Sequence, residues 1–498
     1  MRARFALPLV AAALVAVTLA PRGAFAHGIW GHIHVTGWAI ENLPPGELRD
    51  FFDDPDVMNA ALFGAAFTDS GYWPQAGELA ANARAYGEHT HWEPYVQDFV
   101  EWIVENDPPP WDSKESRMRV AFLMGTACHG LQDEVFDSVF LFQVGEHDAS
   151  GQDEADPASD GFLSLDGHLR FVPETWIPMD ALLEIYADLD ADITEDTIQR
   201  AVDLMMALYV NPGGAEGIST AGTASLESLP WTYDHLMDPD IPSSLRSEIV
   251  PTMRYIEAIW QRVHSDFDVD DIVIHTWPDA PRRLLGGDPE SPDSWITLVF
   301  GMGVDIDTVQ TALVDDEEVP VAVGQQGTRW GARYPRLVRI QPQAPLEPGA
   351  WYRAQLAAGA LTIDGREVDA SFEHRFQVNC MDDVPEICPD IDPFVAEIDG
   401  PQGEDAGGSD AGGTDAGGTD AGGTDAGAAD AGGSDAGGSD TDGPGDTGAT
   451  ADASSDTDPG GATSGSGGGG CAAAGSSTGG PLALPLLALV GLVRRRFS

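Results

Sequence analysis

Apolar residues recur three and four apart through the first half of the chain. VQDFVEWIVEN, DALLEIYADL, DTIQRAVDLMMALYV and SEIVPTMRYIEAIWQRVHSDF all carry this spacing, and Pro and Gly clusters separate them. The pattern predicts amphipathic helices packed into one all-α domain with long loops, residues 27–268. After about residue 270 the period shortens. SWITLVFGMGVD, VPVAVG, RLVRIQP, YRAQLA and FEHRFQV are short, rich in β-formers and divided by turn residues. They predict a β-sandwich over residues 272–380.

Both ends break the pattern. MRARFALPLVAAALVAVTLAPRGAFA has two early arginines, an apolar run and Ala24-Phe25-Ala26, which reads as a secretion signal over residues 1–26 with the mature chain starting at His27. Residues 399–470 soon become Asp-Ala-Gly-Gly-Thr/Ser repeats. These have almost nothing apolar to bury and repel one another, so a disordered acidic linker is expected. Residues 471–498 hold Cys471, a 13-residue apolar run from Pro481 to Val493 and three arginines, Arg494 to Arg496. That run is short for a bilayer crossing, which needs about 20 residues.

Composition narrows the function. The net charge of the 498-residue chain is −57, which argues against loose binding to nucleic acid or anionic membranes. No Lys or Arg occurs between Arg375 and Arg494. Four cysteines are few for a chain of this length, so no disulfide framework is needed. Outside the cytosol, Cys380 and Cys388 are expected to pair. Cys128 lies in an apolar helix and reads as a buried thiol.

One apolar helix carries a polar stripe. In RVAFLMGTACHGLQDEVFDSVFLF, His129 and Asp133 are four apart and share a face, with Asp137 four further on. Upstream lie His32 in HIHVTGWAI, Asp69 in GAAFTDSGYWP, and His89 and His91 in EHTHWEPY. Imidazole nitrogens and carboxylate oxygens are zinc donors, and several in one helical domain point to a metal site. His34 and His89 alternate with stronger candidates. Trp30, Trp73 and Trp92 could wall a cleft or simply pack.

These residues also match a family. HIHVTGWAI resembles the first helix of secreted zinc-dependent phospholipases C and of the glycosylphosphatidylinositol-specific phospholipase D branch. THWEPYVQDFVEWIVENDPPPWDSKESRMRVAFLMGTACHGLQD is similar to that branch's catalytic domain, and ETWIPMDALLEIY continues the likeness, over about residues 27–190. Trp30-Gly31-His32 is similar to the mature start of fungal single-strand nucleases of the same superfamily. The resemblance implies a helical domain holding up to three Zn2+ ions. Carried over, Asp69, His91, His129 and Asp133 form one zinc site. His32, Asp133 and the free amine and carbonyl of His27 form a second. Asp69 would be the catalytic base or water-orienting group. The third site departs from the family, because Asp137 stands where a His is expected. Its remaining candidates are His147, Asp156 and Asp160, an oxygen-richer set that could take Ca2+ or Mn2+.

PLEPGAWYRAQLAAGALTIDGREV is similar to the closing half of a bacterial Ig-like module, and the C-terminal segment resembles a MYXO-CTERM sorting tag processed near Cys471. The implied protein is a secreted, surface-anchored, metal-dependent phosphodiester hydrolase. Its expected partners are a phospholipid or glycolipid phosphodiester and the C-terminal processing and anchoring machinery. With only 25 Lys+Arg, metal ions would supply most of the charge that meets phosphoryl oxygens. The alternative is a non-catalytic surface adhesin or binding protein on a degenerate hydrolase fold.

Overall fold

In the computed structural model, the described residues are 28–74, 77–148, 152–169, 171, 173–207, 212–279, 283–328 and 331–380. The signal segment, His27, Cys388, the acidic linker and the tail with Cys471 lie outside them. No helix among the described residues is long and apolar enough to cross a membrane.

Helices fill the first region and strands the second, as the change of period predicts. In chain order the first helices are α1 (Ile29–Glu41), α2 (Glu47–Phe51) and α3 (Pro55–Phe67), which runs into a 3-10 helix (Thr68–Tyr72). Next come α4 (Gly77–Thr90), α5 (Glu93–Asn106) and α6 (Lys114–Val135), which continues through a π-helical turn (Phe136–Phe140) into α7 (Leu141–His147). Then follow α8 (Gln152–Leu165), α9 (Met179–Ile185), α10 (Glu195–Met205), α11 (Pro212–Ser225), α12 (Pro230–His235) and α13 (Ile249–Val263).

Local chemistry sets several of these ends. Asp54 accepts a bond from the Asp56 amide with Pro55 at the first helical position, so α3 starts there. Ser113 accepts from the Ser116 amide and starts α6. The centre of the helical region is the packing of α3 on α6, which needs small residues. A Cβ at Gly125 would collide with the Ala61 carbonyl, so only glycine lets the two backbones come this close.

The strands are β1 (Val273–Trp277), β2 (Ile296–Phe300), β3 (Thr311–Asp315), β4 (Pro320–Val321), β5 (Val323–Gln326), β6 (Leu337–Pro342), β7 (Trp351–Leu356) and β8 (Phe372–Gln377). They form two antiparallel sheets, ordered β1-β2-β6-β5 and β4-β3-β7-β8. Every residue of β2 is buried, and Leu298 sits opposite Val338 of β6. Each such side chain contributes about 1.5–3 kcal/mol by leaving water.

The apolar core does not stop where the helices end. One cluster runs from Val35 and Phe122 through Tyr255 and Ile259 to Leu298, Val338 and Phe376. Strand β6 also sends a buried arginine toward the helices. Arg339 donates to the Ser138 carbonyl at 2.7 Å and lies against the rings of Phe142 and Trp295. The period change marks the boundary in secondary structure, while packing joins the two regions. Cys380, just after β8, is disulfide-bonded, and Cys128 is a buried free thiol.

Candidate metal centre

Five of the residues singled out in the sequence meet at one place. His32 projects from α1, Asp69 from the 3-10 helix after α3, His91 from the connection between α4 and α5, and His129 and Asp133 from α6. Two groups are spaced to share an ion: His32 with His129 and Asp133, and Asp69 with His91 and His129.

Each imidazole is oriented from behind. His91 Nδ1 donates to the Gly87 carbonyl at 2.6 Å, and His129 Nδ1 donates to the Ala65 carbonyl at 2.5 Å. The close packing at Gly125 brings α3, and with it the Ala65 carbonyl, within reach of His129. His32 Nδ1 donates to Gln132 Oε1 at 2.9 Å, and the Gln132 amide donates to Thr36 Oγ1 at 3.1 Å. A carbonyl oxygen only accepts, so these Nδ1 atoms carry hydrogens. The neutral rings therefore present Nε2 lone pairs to the cluster, the tautomer a metal requires.

Asp133 lies between the rings. Its Oδ1 is 3.1 Å from His32 Nε2, and its Oδ2 is 3.2 Å from His91 Nε2 and 3.3 Å from His129 Nε2. Asp69 Oδ1 is 3.5 Å from His91 Nε2 and 3.8 Å from His129 Nε2. Ligands at 2.0–2.2 Å from a tetrahedral zinc are separated by about 3.3–3.6 Å. The donor edges around Asp69, His91, His129 and Asp133 match that spacing closely. His129 is fully buried, and its Nε2 faces Asp133 Oδ2 and Asp69 Oδ1 without a well-directed hydrogen bond to either. A buried lone pair aimed at carboxylates is costly unless a cation lies between them. The residues therefore fit a metal.

The rings of His32 and His129 stack with centroids 3.6 Å apart and planes at 17°, and His91 meets His129 edge-on. This crowding separates their proton affinities. Burial lowers the pKa of His129, and the nearby His32 lowers it further. Burial also opposes protonation of His91, but the Asp69 and Asp133 carboxylates overcome it and raise its pKa to about 9. His32 is raised as well, with Asp133 outweighing burial. Burial would raise Asp133, yet the His129 and His32 rings hold it well below the usual carboxylate range.

The remaining candidates lie elsewhere or serve differently. Asp137 is buried inside the π-helical turn that follows α6. Asp160 accepts from the Trp30 and Gly31 amides at 3.0 and 2.8 Å and so caps α1. Asp156 is buried on the same helix, α8. His147 stacks on Trp231, with centroids 4.6 Å apart. Among the described residues, Asp137, His147, Asp156 and Asp160 form no third group with metal-ligand spacing. His34 packs in the core against Trp38 and Phe171, and His89 faces Asp98 and Tyr186. Trp30 is a core residue, and Trp92 is half-buried, its Nε1 donating to Glu88. Tyr72, beside the His91 ring at 5.4 Å, donates to the same carboxylate at 3.0 Å.

Sequence reasoning missed Gln132, which orients His32, and Glu248, a fully buried acid near Asp133 that accepts from Ser243 Oγ at 2.6 Å. Gln132 stands beside Asp133, but side-chain amides occur everywhere and give no signal. Glu248 lies 115 residues beyond Asp133 with no motif around it.

Comparison with known proteins agrees in part. The chain is 31% identical over 175 residues to phosphatidylinositol-glycan-specific phospholipase D of Bos taurus, covering 32% of this chain and 20% of that one. It is 32% identical over 124 residues to the Homo sapiens protein, covering 22% and 15%, and 29% identical over 171 residues to that of Mus musculus, covering 32% and 20%. The match thus spans a fifth or less of each relative's length. These partial likenesses point to a phospholipase-related family and to a hydrolase. No family profile matches the chain. Among solved structures, CopC from Methylosinus trichosporium OB3b aligns with a TM-score of 0.18 and 19% identity over 22% of this chain and 93% of that one, a score that assigns no fold.

Proposed function

We propose that the protein is a metal-dependent phosphodiester hydrolase acting on phospholipid or glycolipid head groups. The observation that carries this reading is the convergence of three oriented imidazoles and two carboxylates at metal-ligand spacing in a buried site. The partial likeness to a phospholipase D supports the substrate class. The donor set of nitrogen and carboxylate oxygen suits Zn2+. Asp69, His91, His129 and Asp133 would hold one ion, and His32 with Asp133 would hold a second, completed by the mature N-terminus. Bound there, the ions would supply Lewis acidity toward phosphoryl oxygens and a low-pKa water.

The chain's own residues have distinct tasks. Gly87, Ala65 and Gln132 fix the imidazoles, so the donors are in place before any substrate arrives. Asp69 points one oxygen at His91 and His129, leaving the other to orient an attacking water and take its proton. Asp133 is the ligand with the most open side chain, 15% exposed, and so marks the side from which a phosphodiester would approach. Secretion and retention at the cell surface through the C-terminal segment complete the proposal.

The test is hydrolysis of a generic phosphodiester and of phosphatidylinositol-type lipids by full-length protein with its natural N-terminus. Turnover that chelator abolishes and zinc restores is the expected result. Metal-loaded protein that cleaves neither substrate would overturn the reading.

A further inference from the structure

Arg336 belongs to the β region, immediately before β6, yet it is completely buried among the helices of the metal centre. Its guanidinium Nη2 donates to the His91 carbonyl at 2.8 Å and to Glu134 Oε1 at 2.8 Å. Nε reaches the same Glu134 oxygen at 3.1 Å, and Nη1 reaches the Ala127 carbonyl at 3.3 Å. The Arg336 backbone amide donates to Glu134 Oε2 at 2.7 Å.

These acceptors surround the site. Ala127 precedes His129 by two residues, and Glu134 follows Asp133 directly. His91 is thereby held at two points: Gly87 fixes its ring and Arg336 fixes its backbone. The approach is tight, because a Cβ at Gly130 would run into the His91 carbonyl and the guanidinium. A guanidinium holds five donors in a fixed planar fork on three nitrogens, whereas an ammonium offers three donors on a single nitrogen.

The charge is matched inside the fold. Glu93, two residues after His91, lies 3.8 Å from Arg336 and binds Arg262 Nη1 at 2.8 Å and the Tyr255 hydroxyl at 2.8 Å. Two buried arginines thus meet two buried glutamates. A buried network of this kind holds its geometry only when every member is present.

We infer that Arg336 is a positioning residue for the metal centre, so that the β region is a working part of the site rather than a spacer. It acts through His91 and α6 and touches no reacting atom. The inference rests on the metal reading proposed above.

The test uses Co2+ alone as the probe, added to metal-free full-length protein. Its visible absorption reports ligand geometry, and its titration reports affinity. Arg336→Lys and Arg336→Met are compared with wild type and with Arg339→Met. The last variant loses a nearby buried arginine, in β6 itself, whose guanidinium donates to the Ser138 carbonyl and Gln326 Oε1. Expected are a shifted cobalt spectrum and about 10–100-fold weaker binding in both Arg336 variants, the range for lost outer partners of a ligand. Arg339→Met is expected to be less stable with an unchanged spectrum. Folded Arg336 variants with the wild-type spectrum and affinity would overturn the inference alone. Wild type that takes up no cobalt would overturn the metal reading and this inference with it. Where neither Arg336 variant folds, Glu134→Gln decides: it keeps the side-chain shape and loosens the guanidinium's anchor. A wild-type spectrum and affinity in Glu134→Gln would then overturn the inference.

Discussion

Asp133 turns Oδ1 to His32 at 3.1 Å and leaves Oδ2 to face His91 and His129. One carboxylate therefore borders both halves of the cluster, and one nitrogen of His129 cannot serve two ions at once. On the function proposed above, Asp133 would be the residue shared by the two ion positions.

Asp133→Asn and His32→Ala should therefore differ. The asparagine side chain would offer one neutral oxygen and an amide, so both ions should be lost or strongly weakened. His32→Ala should cost one ion and leave the Asp69, His91, His129 side filled. Metal counts by elemental analysis check this, and equal loss in the two variants would contradict the bridging role.

Gln132 fixes the tautomer of His32 by accepting from its Nδ1. Replacing Gln132 by Leu takes that acceptor away in a fully buried place. Binding at the His32 side should weaken about 10–100-fold. Stability should fall by about 1–3 kcal/mol, the cost of an unsatisfied buried donor. Zinc titration against a chromophoric chelator and denaturant unfolding measure the two effects.

Metal uptake should depend on pH. In the metal-free cluster the neighbouring carboxylates raise His91 to about 9. At neutral pH it holds a proton that an incoming ion must displace. Apparent affinity should rise about tenfold per pH unit through neutrality and level off near pH 9. A flat profile from about pH 6 upward would contradict the assignment of His91 as a ligand.

Glu248 should impose an opposite trend on stability. Burial holds its pKa well above the ordinary 4.5, reinforced by Asp133 and Asp137. The folded state keeps a proton that the unfolded state loses. The contribution is thus full below about 4.5 and declines as pH rises toward the folded value. Glu248→Gln, which has no proton to lose, should show a smaller drop in unfolding free energy of the metal-free protein between about pH 5 and about pH 8. An identical drop in both proteins would remove Glu248 as the source.

Much of the cluster was legible because its members follow local rules. His129 and Asp133 are one helical turn apart, and an apolar helix has little other reason to carry both. His91 and Asp69 stand among aromatic and small residues near helix ends. The supporting contacts were not legible, because they are made across the fold. Arg336 lies 245 residues from His91 in sequence. The role of Gly125 exists only once α3 lies against α6. Asp137 reads as a continuation of the stripe at regular helical spacing, but it falls in a π-helical turn, which that spacing does not announce. The change from helical to alternating patterning near residue 270 gives the order of the two regions. It is silent about the core they share, since apolar residues do not state which region they pack against.

The most direct test is the zinc content of full-length protein with its natural N-terminus, measured by elemental analysis after zinc equilibration and removal of free metal. His129→Ala/Asp133→Ala double-variant protein is the reference. At least two zinc ions per chain, absent from the double variant, is the result this account requires. Wild-type protein that retains no metal would contradict it and leave a surface-binding protein built on the remains of a hydrolase site.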